Sequence, residues 1–290
     1  MKKILLQLDS DRVPSVFDAI TAYDAGADAL LQYGGVEPSE VRNLVYGAMF
    51  TRGADDLKNS AVFIGGTDVA KGEAMLQEVR DTFFGPLRLS AMLDANGCNT
   101  TATAAVVKIL SGGDLTGKKV VVLAGTGPVG RRAAALLAKE GAEVTVAETL
   151  PTQTLERAKT ACAALEERFG VHVTPAAAAD LDATRRVLDG VQAVLCTGAA
   201  GLALVPEAIW KGHPTLRVLV DVNAVPPLGI EGIAPTWNGK EIDGKKLFGA
   251  LGVGDLKMKV HRRSVARLFE QNDLVLDAEE IVVIAKELAR

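Results

Sequence analysis

Gly125, Gly127 and Gly130 stand in the order G-x-G-x-x-G. They follow the β-branched run KKVVVLAG (118–125) and precede the alanine-rich run RRAAALLAKEG (131–141). Strand, glycine turn and helix in that succession suit a dinucleotide. The first glycine permits the tight turn, the second lets the backbone approach a pyrophosphate, and the third lets the helix pack close to the strand. Free N–H groups and the positive end of the helix dipole then face the phosphates. Thr126, Pro128, Val129 and Arg131 complete this candidate site. A glycine-rich structural turn is the bland alternative, and the ordered strand–loop–helix–strand context weighs against it.

Glu148 closes the next strand, EVTVAE (143–148). A carboxylate there hydrogen-bonds the ribose hydroxyls of NAD, whereas an arginine nearby accommodates the 2′-phosphate of NADP. Thr149-Leu150-Pro151 follows with no basic residue, so NAD is favoured. Arg131 and Arg132 keep NADP open, and Glu148 also reads as a solvated loop carboxylate. Thr197 and Gly198, ending QAVLCTG (192–198), and Asn223, following LRVLVDV (216–222), stand where strand ends face a ligand crevice. For Asp221 and Asn223, loop capping is an equal alternative.

Acid–base candidates are few: His172, inside an expected strand (VHVT, 171–174), His213 and His261. No Ser-His-Asp order, HExxH or CxxC metal signature occurs, so hydrolysis and zinc-assisted oxidation lack support and no metal is expected. Hydride loss from a carbon between two nitrogens needs no proton acceptor, because a nitrogen lone pair stabilises the cation. Such chemistry asks for positioning and electrostatics.

These residues need two α/β layers to hold them. KILLQL (3–8) reads as a buried strand, and Pro14 starts a helix carrying Val16, Phe17, Ile20 and Tyr23. Residues 26–33 form a short apolar segment, and 40–50 read equally as helix or strand. A strand ends in Gly65-Gly66, Asp68 caps a helix reaching about Phe83, and LRLSAML (87–93) is a further strand. Helices over 99–111, 154–169 and 277–289 complete the pattern. The division expected is an N-terminal α/β domain over 1–98 and a Rossmann domain with a doubly wound parallel sheet over 99–290. The last helix packs back on the first domain, and a cleft separates the two.

Composition narrows the classes. The net charge of -4 and the 32 basic against 36 acidic residues exclude a basic nucleic-acid footprint. With 48% hydrophobic residues the chain is not disordered. No apolar run reaches the ~18 residues of a membrane span, and Met1–Leu6 is too short for a signal peptide. Cys98, Cys162 and Cys196 have no paired spacing and suit a reducing, cytoplasmic setting.

Several motifs together carry a resemblance. They are Asp9-Ser10-Asp11, Pro14-Ser15-Val16-Phe17-Asp18, Thr51-Arg52-Gly53, Phe63-Ile64-Gly65-Gly66 with Gly72-Glu73, and Phe84-Gly85-Pro86. MLDANGCNTT (92–101), AGTGPVG (124–130), NAVPPLGI (223–230) and FGALGVGDLK (248–257) follow. Nearly end to end, the chain resembles the bacterial NAD(P)-dependent methylene-tetrahydromethanopterin dehydrogenases. MLDxNGxNTT combined with NAxPPLGI is the specific part.

The resemblance implies a two-domain dehydrogenase like those acting on folates. It implies oxidation of methylene-tetrahydromethanopterin, or of methylene-tetrahydrofolate, to the methenyl form, and a homo-oligomer, trimers included. It places the pterin beside the N-terminal domain, with Phe17 stacking on it and Asp18 or Asp94 accepting from its amino-pyrimidinone edge. Asn99, Thr101 and Lys257 become substrate-site positions, Lys257 in an electrostatic or orienting role. Each has a plainer alternative: core packing for Phe17, turn chemistry for Asp94, an N-cap for Asn99, and a solvated helix-start lysine for Lys257. NADP-using relatives carry an Arg-Lys pair after the second Rossmann strand, and this chain departs from that at 147–151. Two other readings stay open: a shikimate- or amino-acid-type dehydrogenase, for which Lys58 and Lys71 lack a matching motif, and a non-catalytic NAD-binding sensor.

Overall fold

The computed structural model describes residues 1–150, 152 and 154–289; Pro151, part of the stretch read for cofactor choice, lies outside them, as does Arg290. Strand β1 (Ile4–Asp9) is buried along nearly its whole length, Gln7 and Asp9 included. Continuous burial marks a strand covered on both faces. Helix α1 (Val16–Asp24) follows, capped by Ser15, whose hydroxyl accepts from the Asp18 N–H. The chain continues through β2 (Ala29–Gly34), α2 (Pro38–Met49), β3 (Ser60–Gly65), α3 (Val69–Thr82) and β4 (Ser90–Leu93). Residues 38–49 are helical because Pro38 opens the first turn and Glu37 and Glu40 form a reciprocal capping box. Asp68 caps α3 by accepting from the Lys71 N–H.

Beyond β4 come α4 (Cys98–Leu110), β5 (Lys119–Leu123), α5 (Pro128–Lys139), β6 (Glu143–Glu148), α6 (Thr154–Phe169), β7 (Thr174–Ala177), α7 (Leu181–Val187) and β8 (Ala193–Cys196). Then follow α8 (Glu207–Trp210), β9 (Val218–Asp221), β10 (Asn238–Ile242), β11 (Lys245–Phe248), α9 (Ala250–Arg267), β12 (Val275–Leu276) and α10 (Ala278–Leu288).

Two compact units result. The first comprises Met1–Thr100 and Met258–Leu288. Its five-stranded sheet has the order β12-β4-β3-β1-β2, parallel throughout. The second comprises Thr101–Lys257, with a seven-stranded sheet ordered β10-β11-β9-β8-β5-β6-β7. Only the β10–β11 pair is antiparallel. The succession outward from β5 is the doubly wound arrangement, with its strand-order reversal beside β5.

Three expectations need correction. The Rossmann unit does not run to the C-terminus: the second half of α9 and β12 join the first unit alongside α10, and Val275 and Leu276 pair there with Ala91 and Met92. The strand expected at 171–174 begins only at Thr174, because the β6 ladder pairs Thr145 with Thr174 and Glu148 with Ala177; His172 is exposed and lies outside it. Lys257 does not start a helix but stands inside α9. The cysteines are buried and free. No helix among the described residues is long and apolar enough to cross a membrane.

Candidate active site

In the first unit the parallel strands deliver their carboxyl ends to one edge of the sheet, each ending in or followed by an acidic or glycine residue. Asp9, ending β1, accepts from the N–H groups of Asp11 and Ser15, both at 2.9 Å. Asp11 in turn accepts from the Thr67 N–H at 3.1 Å and the Thr67 hydroxyl at 2.8 Å. Gly66, just past β3, has φ +98°, and a Cβ there would collide with the Ser10 hydroxyl. Glycine is therefore required at that turn.

Asp94 follows β4. One carboxylate oxygen accepts from the N–H groups of Asn99 and Thr100, both at 3.0 Å, and the other from the Thr100 hydroxyl at 2.6 Å. It thereby ties down the first turn of α4. Asn99 is not the N-cap: its amide donates to the Leu93 carbonyl (2.5 Å) and to Asp277 (2.9 Å), just before α10. It joins two segments far apart in sequence.

His261, one of the three acid–base candidates but not among the expected site residues, completes the cluster. Its ring is 1% exposed and stacks on Phe63 at 5.4 Å between centroids, with 14° between planes. Nδ1 lies 3.6 Å from Asp94 and Nε2 lies 3.9 Å from Asp18. Both separations exceed hydrogen-bonding distance, so the two carboxylates face the ring nitrogens without a direct hydrogen bond. Phe17 leans on the same ring at 6.0 Å and 57°, yet remains 47% exposed. It is therefore not a core residue. An added Cβ at Gly65 would lie 3.4 Å from carboxylate oxygens of both Asp9 and Asp18, so those acids converge there. The available signal for His261 was its position one helical turn after Lys257.

In the second unit the glycines divide their labour. A Cβ at Gly125 would lie 2.7 Å from the Val122 carbonyl, and one at Gly130 would lie 2.6 Å from the Gly125 Cα. At Gly127 a Cβ would meet nothing within 4 Å. Gly127 is also the N-cap of α5, with no side-chain cap, and Pro128 opens the helix. Open space before uncapped N–H groups fits a pyrophosphate. Thr126 and Val129 are half-buried beside it. Thr197 braces the loop from below, its hydroxyl donating to the carbonyls of Leu123 and Ala124, both at 3.1 Å.

Gly198 continues from β8, and its missing Cβ makes room for Leu204. Asn223 is buried and shapes the loop after β9: its N–H donates to Asp221 at 2.9 Å and its amide to the Pro227 carbonyl at 3.3 Å. Burial pushes the Asp221 carboxyl up, although N–H donors from Asn223, Ile230 and Gly229 oppose this.

Glu148 is 2% exposed and has four donors. Thr149 and Leu150 N–H groups reach one oxygen at 2.7 and 3.1 Å. The Thr126 hydroxyl and the Arg157 Nε, the latter at 3.1 Å, reach the other. Burial alone would raise its pKa, but bonds from Thr126, Leu150, Thr149 and Arg157 together hold it below the ordinary carboxylate value. Arg157, on α6 and nine residues beyond Glu148, thus stands at the end of β6. A cavity of about 340 Å³ lies beside it, lined by Thr126, Arg131, Arg157 and Thr160 among others.

Of the residues expected to meet substrate, Phe17, Asp18 and Asp94 gather around His261. Asn99 supports Asp94 from behind. Thr101 on α4 and Lys257 on α9 belong to the second unit and are half-buried.

Residues 16–96 match the family model described as methylene-tetrahydromethanopterin dehydrogenase, N-terminal. The chain is 48% identical over 290 residues to the bifunctional protein MdtA of Methylorubrum extorquens, covering 99% of each. It is 30% identical over 301 residues, again covering 99% of each, to the NAD(P)-dependent methylenetetrahydromethanopterin dehydrogenase of the same organism. Among solved structures, shikimate 5-dehydrogenase from Listeria monocytogenes, in complex with shikimate and NAD, superposes with a TM-score of 0.55 at 13% identity. That match covers 100% of this chain and 96% of the other. It shows the two-domain Rossmann-type dehydrogenase fold.

Proposed function

The chain belongs to the methylene-tetrahydromethanopterin dehydrogenase family, and from that premise we propose that it oxidises the methylene bridge of a reduced pterin to the methenyl form with NAD(P). The observation that carries this reading is the acidic, imidazole-centred cluster of Asp9, Asp18, Asp94 and His261 beneath the exposed ring of Phe17. The C–H bond at the bridging carbon breaks heterolytically. Both electrons leave with hydrogen as hydride, and a flanking nitrogen lone pair closes onto carbon to give the cation. NAD(P), when bound, supplies the hydride acceptor.

The residues position and stabilise. Phe17 offers a face for the pterin ring. Asp18 accepts from its amino-pyrimidinone edge. Asp94, engaged with the first turn of α4, faces the imidazole and adds its charge to the cluster. The summed carboxylate field favours the methenyl cation. Lys257 would oppose that cation if it approached the bridging carbon, so its useful role is to donate to a substrate carbonyl and orient it; Thr101 is a further proposed contact. In the second unit, the uncapped turn at Gly127 holds the pyrophosphate, and Thr197, Gly198 and Asn223 form the nearby wall.

A homo-oligomer is part of this reading, supported by the edge strand β2, whose Leu31 and Tyr33 stay 45% and 39% exposed. Purified protein given methylene-tetrahydromethanopterin, methylene-tetrahydrofolate or shikimate, each with NAD and NADP, tests the proposal. Reduced nicotinamide formed only with a methylene-pterin supports it. Turnover of shikimate alone, or of nothing despite dinucleotide binding, rejects it.

A further inference from the structure

The segment NAVPPLGI (223–230) leaves the end of β9 as a loop that closes on one buried carboxylate. Asp221 is 1% exposed. Its Oδ1 accepts from the Asn223 N–H and its Oδ2 from the Ile230 N–H, both at 2.9 Å, and the Gly229 N–H donates to it as well. Both ends of the loop are thus fastened to a single side chain. Within the loop, Asn223 bonds back to the backbone: its Oδ1 accepts from the Val225 N–H at 2.9 Å and its amide donates to the Pro227 carbonyl at 3.3 Å. Gly229 returns so close to the strand ends that a Cβ there would collide with Cys196 Sγ and lie 2.9 Å from Asp221 Oδ1. Its carbonyl accepts from the Leu204 and Val205 N–H groups, at 2.8 and 3.0 Å.

What this loop presents outward is apolar. Ala224, Val225, Pro226 and Pro227 are exposed, Val225 at 53%, and none of their side chains can hydrogen-bond. Its place in the sheet says what such a tip meets. β8 lies between β5 and β9, with Cys196 in register with Leu123 on one side and with Asp221 on the other. In a doubly wound sheet the two halves each take one nucleotide of a dinucleotide. The half made of β5, β6 and β7 takes the adenosine side, so the ends of β8 and β9 face the nicotinamide side.

We infer that Asp221 is a positioning residue for hydride transfer: by holding both ends of the loop it sets the apolar tip, Ala224–Pro227, against which the nicotinamide ring rests. This rests on the dinucleotide-dependent oxidation proposed above and is independent of the identity of the pterin. Asp221 touches neither cofactor nor substrate. Its buried charge costs desolvation, which the three N–H donors offset, and what it secures is one conformation of the loop. A ring backed by a fixed apolar surface keeps the orientation that hydride transfer needs. The plainer alternative is that the carboxylate only caps the end of β9, and the two readings differ in what the nicotinamide senses.

Fluorescence titration of the full-length protein with NADH or NADPH, whichever binds more tightly, tests this without turnover, because the emission of the reduced nicotinamide responds to its surroundings. Binding to wild type is expected to raise the emission and shift it to the blue. Asp221→Asn keeps the side-chain size but turns an NH₂ group toward one of the N–H donors. It is expected to lose most of that emission change with dinucleotide affinity within about twofold of wild type, and to lower kcat with the methylene-pterin by about tenfold or more. Val225→Ser alters only the exposed tip. It is expected to melt like wild type and to diminish the emission change, which keeps the test decisive if Asp221→Asn fails to fold. No emission change on binding to wild type, variants that keep wild-type emission and kcat, or an Asp221→Asn variant that loses affinity and kcat in equal measure would overturn the inference. An emission change present in wild type and lost in the variants, without any methylene-pterin turnover, would sink the proposed reaction and leave the placement of the nicotinamide intact. Binding of neither reduced dinucleotide would overturn both.

Discussion

Asp94 and His261, 167 residues apart in sequence, meet with Oδ2 of the carboxylate 3.6 Å from Nδ1 of the imidazole, each side chain essentially sealed from solvent. The same oxygen accepts from the Thr100 hydroxyl, so the residue that fixes the start of α4 also faces the histidine ring. Asp94→Asn removes the charge and puts an amide nitrogen among donors. The expected cost is about 1–3 kcal/mol of stability in urea unfolding. A variant within a few tenths of wild type would mean that the carboxylate carries no such load.

The glycine loop separates packing from binding. Gly130→Ala places a methyl group 2.6 Å from the Gly125 Cα, where backbone must shift, and is expected to cost roughly 1–3 kcal/mol of stability. Gly127→Ala meets nothing within 4 Å and is expected to melt like wild type while losing dinucleotide affinity, because its methyl enters the space assigned to the pyrophosphate. If Gly127→Ala binds dinucleotide normally, the assignment of that space is wrong.

Much of this was legible in the sequence, and the gaps have physical causes. β6 and α6 stand where periodicity and composition put them, as does the Asp68 cap. The two-residue β12 has no pattern to detect, and only its ladder with β4 defines it. Gly252 and Gly254 weaken the helical signal of α9, which hid the placement of Lys257 and His261 on one helix. The β10–β11 hairpin was not read from the sequence, although Asp243 and Gly244, at φ 50° and 68°, form the Asp-Gly turn such hairpins favour. In the candidate site, Gly127 could be found from spacing and Asp18 only through the family resemblance. Arg157 could not, because its approach to Glu148 depends on how α6 lies against β6.

The depressed pKa of Glu148 has a defined sign. A carboxyl whose folded pKa lies below its unfolded one adds stability above the ordinary carboxylate pKa and loses it as pH falls through the lower folded value. Stability measured from neutral pH down into the acid range should therefore fall more steeply for wild type than for Glu148→Gln. Parallel curves would show that the four-donor arrangement is not maintained in solution.

Lys257 is expected to act on substrate and not on cofactor. Lys257→Ala should lower kcat/KM for the methylene-pterin about 10- to 100-fold through lost orientation, with dinucleotide affinity by titration unchanged. Equal losses in both would indicate a structural role inside α9.

The most direct measurement follows two absorbance bands in one reaction of the purified protein with methylene-tetrahydromethanopterin and NADP: reduced nicotinamide and the methenyl-pterin. Hydride transfer predicts that both appear together at one-to-one stoichiometry and at the same rate. Nucleotide reduction without the methenyl product, or no change in either band while dinucleotide binding is demonstrable, would contradict the assignment of this chain as a methylene-pterin dehydrogenase.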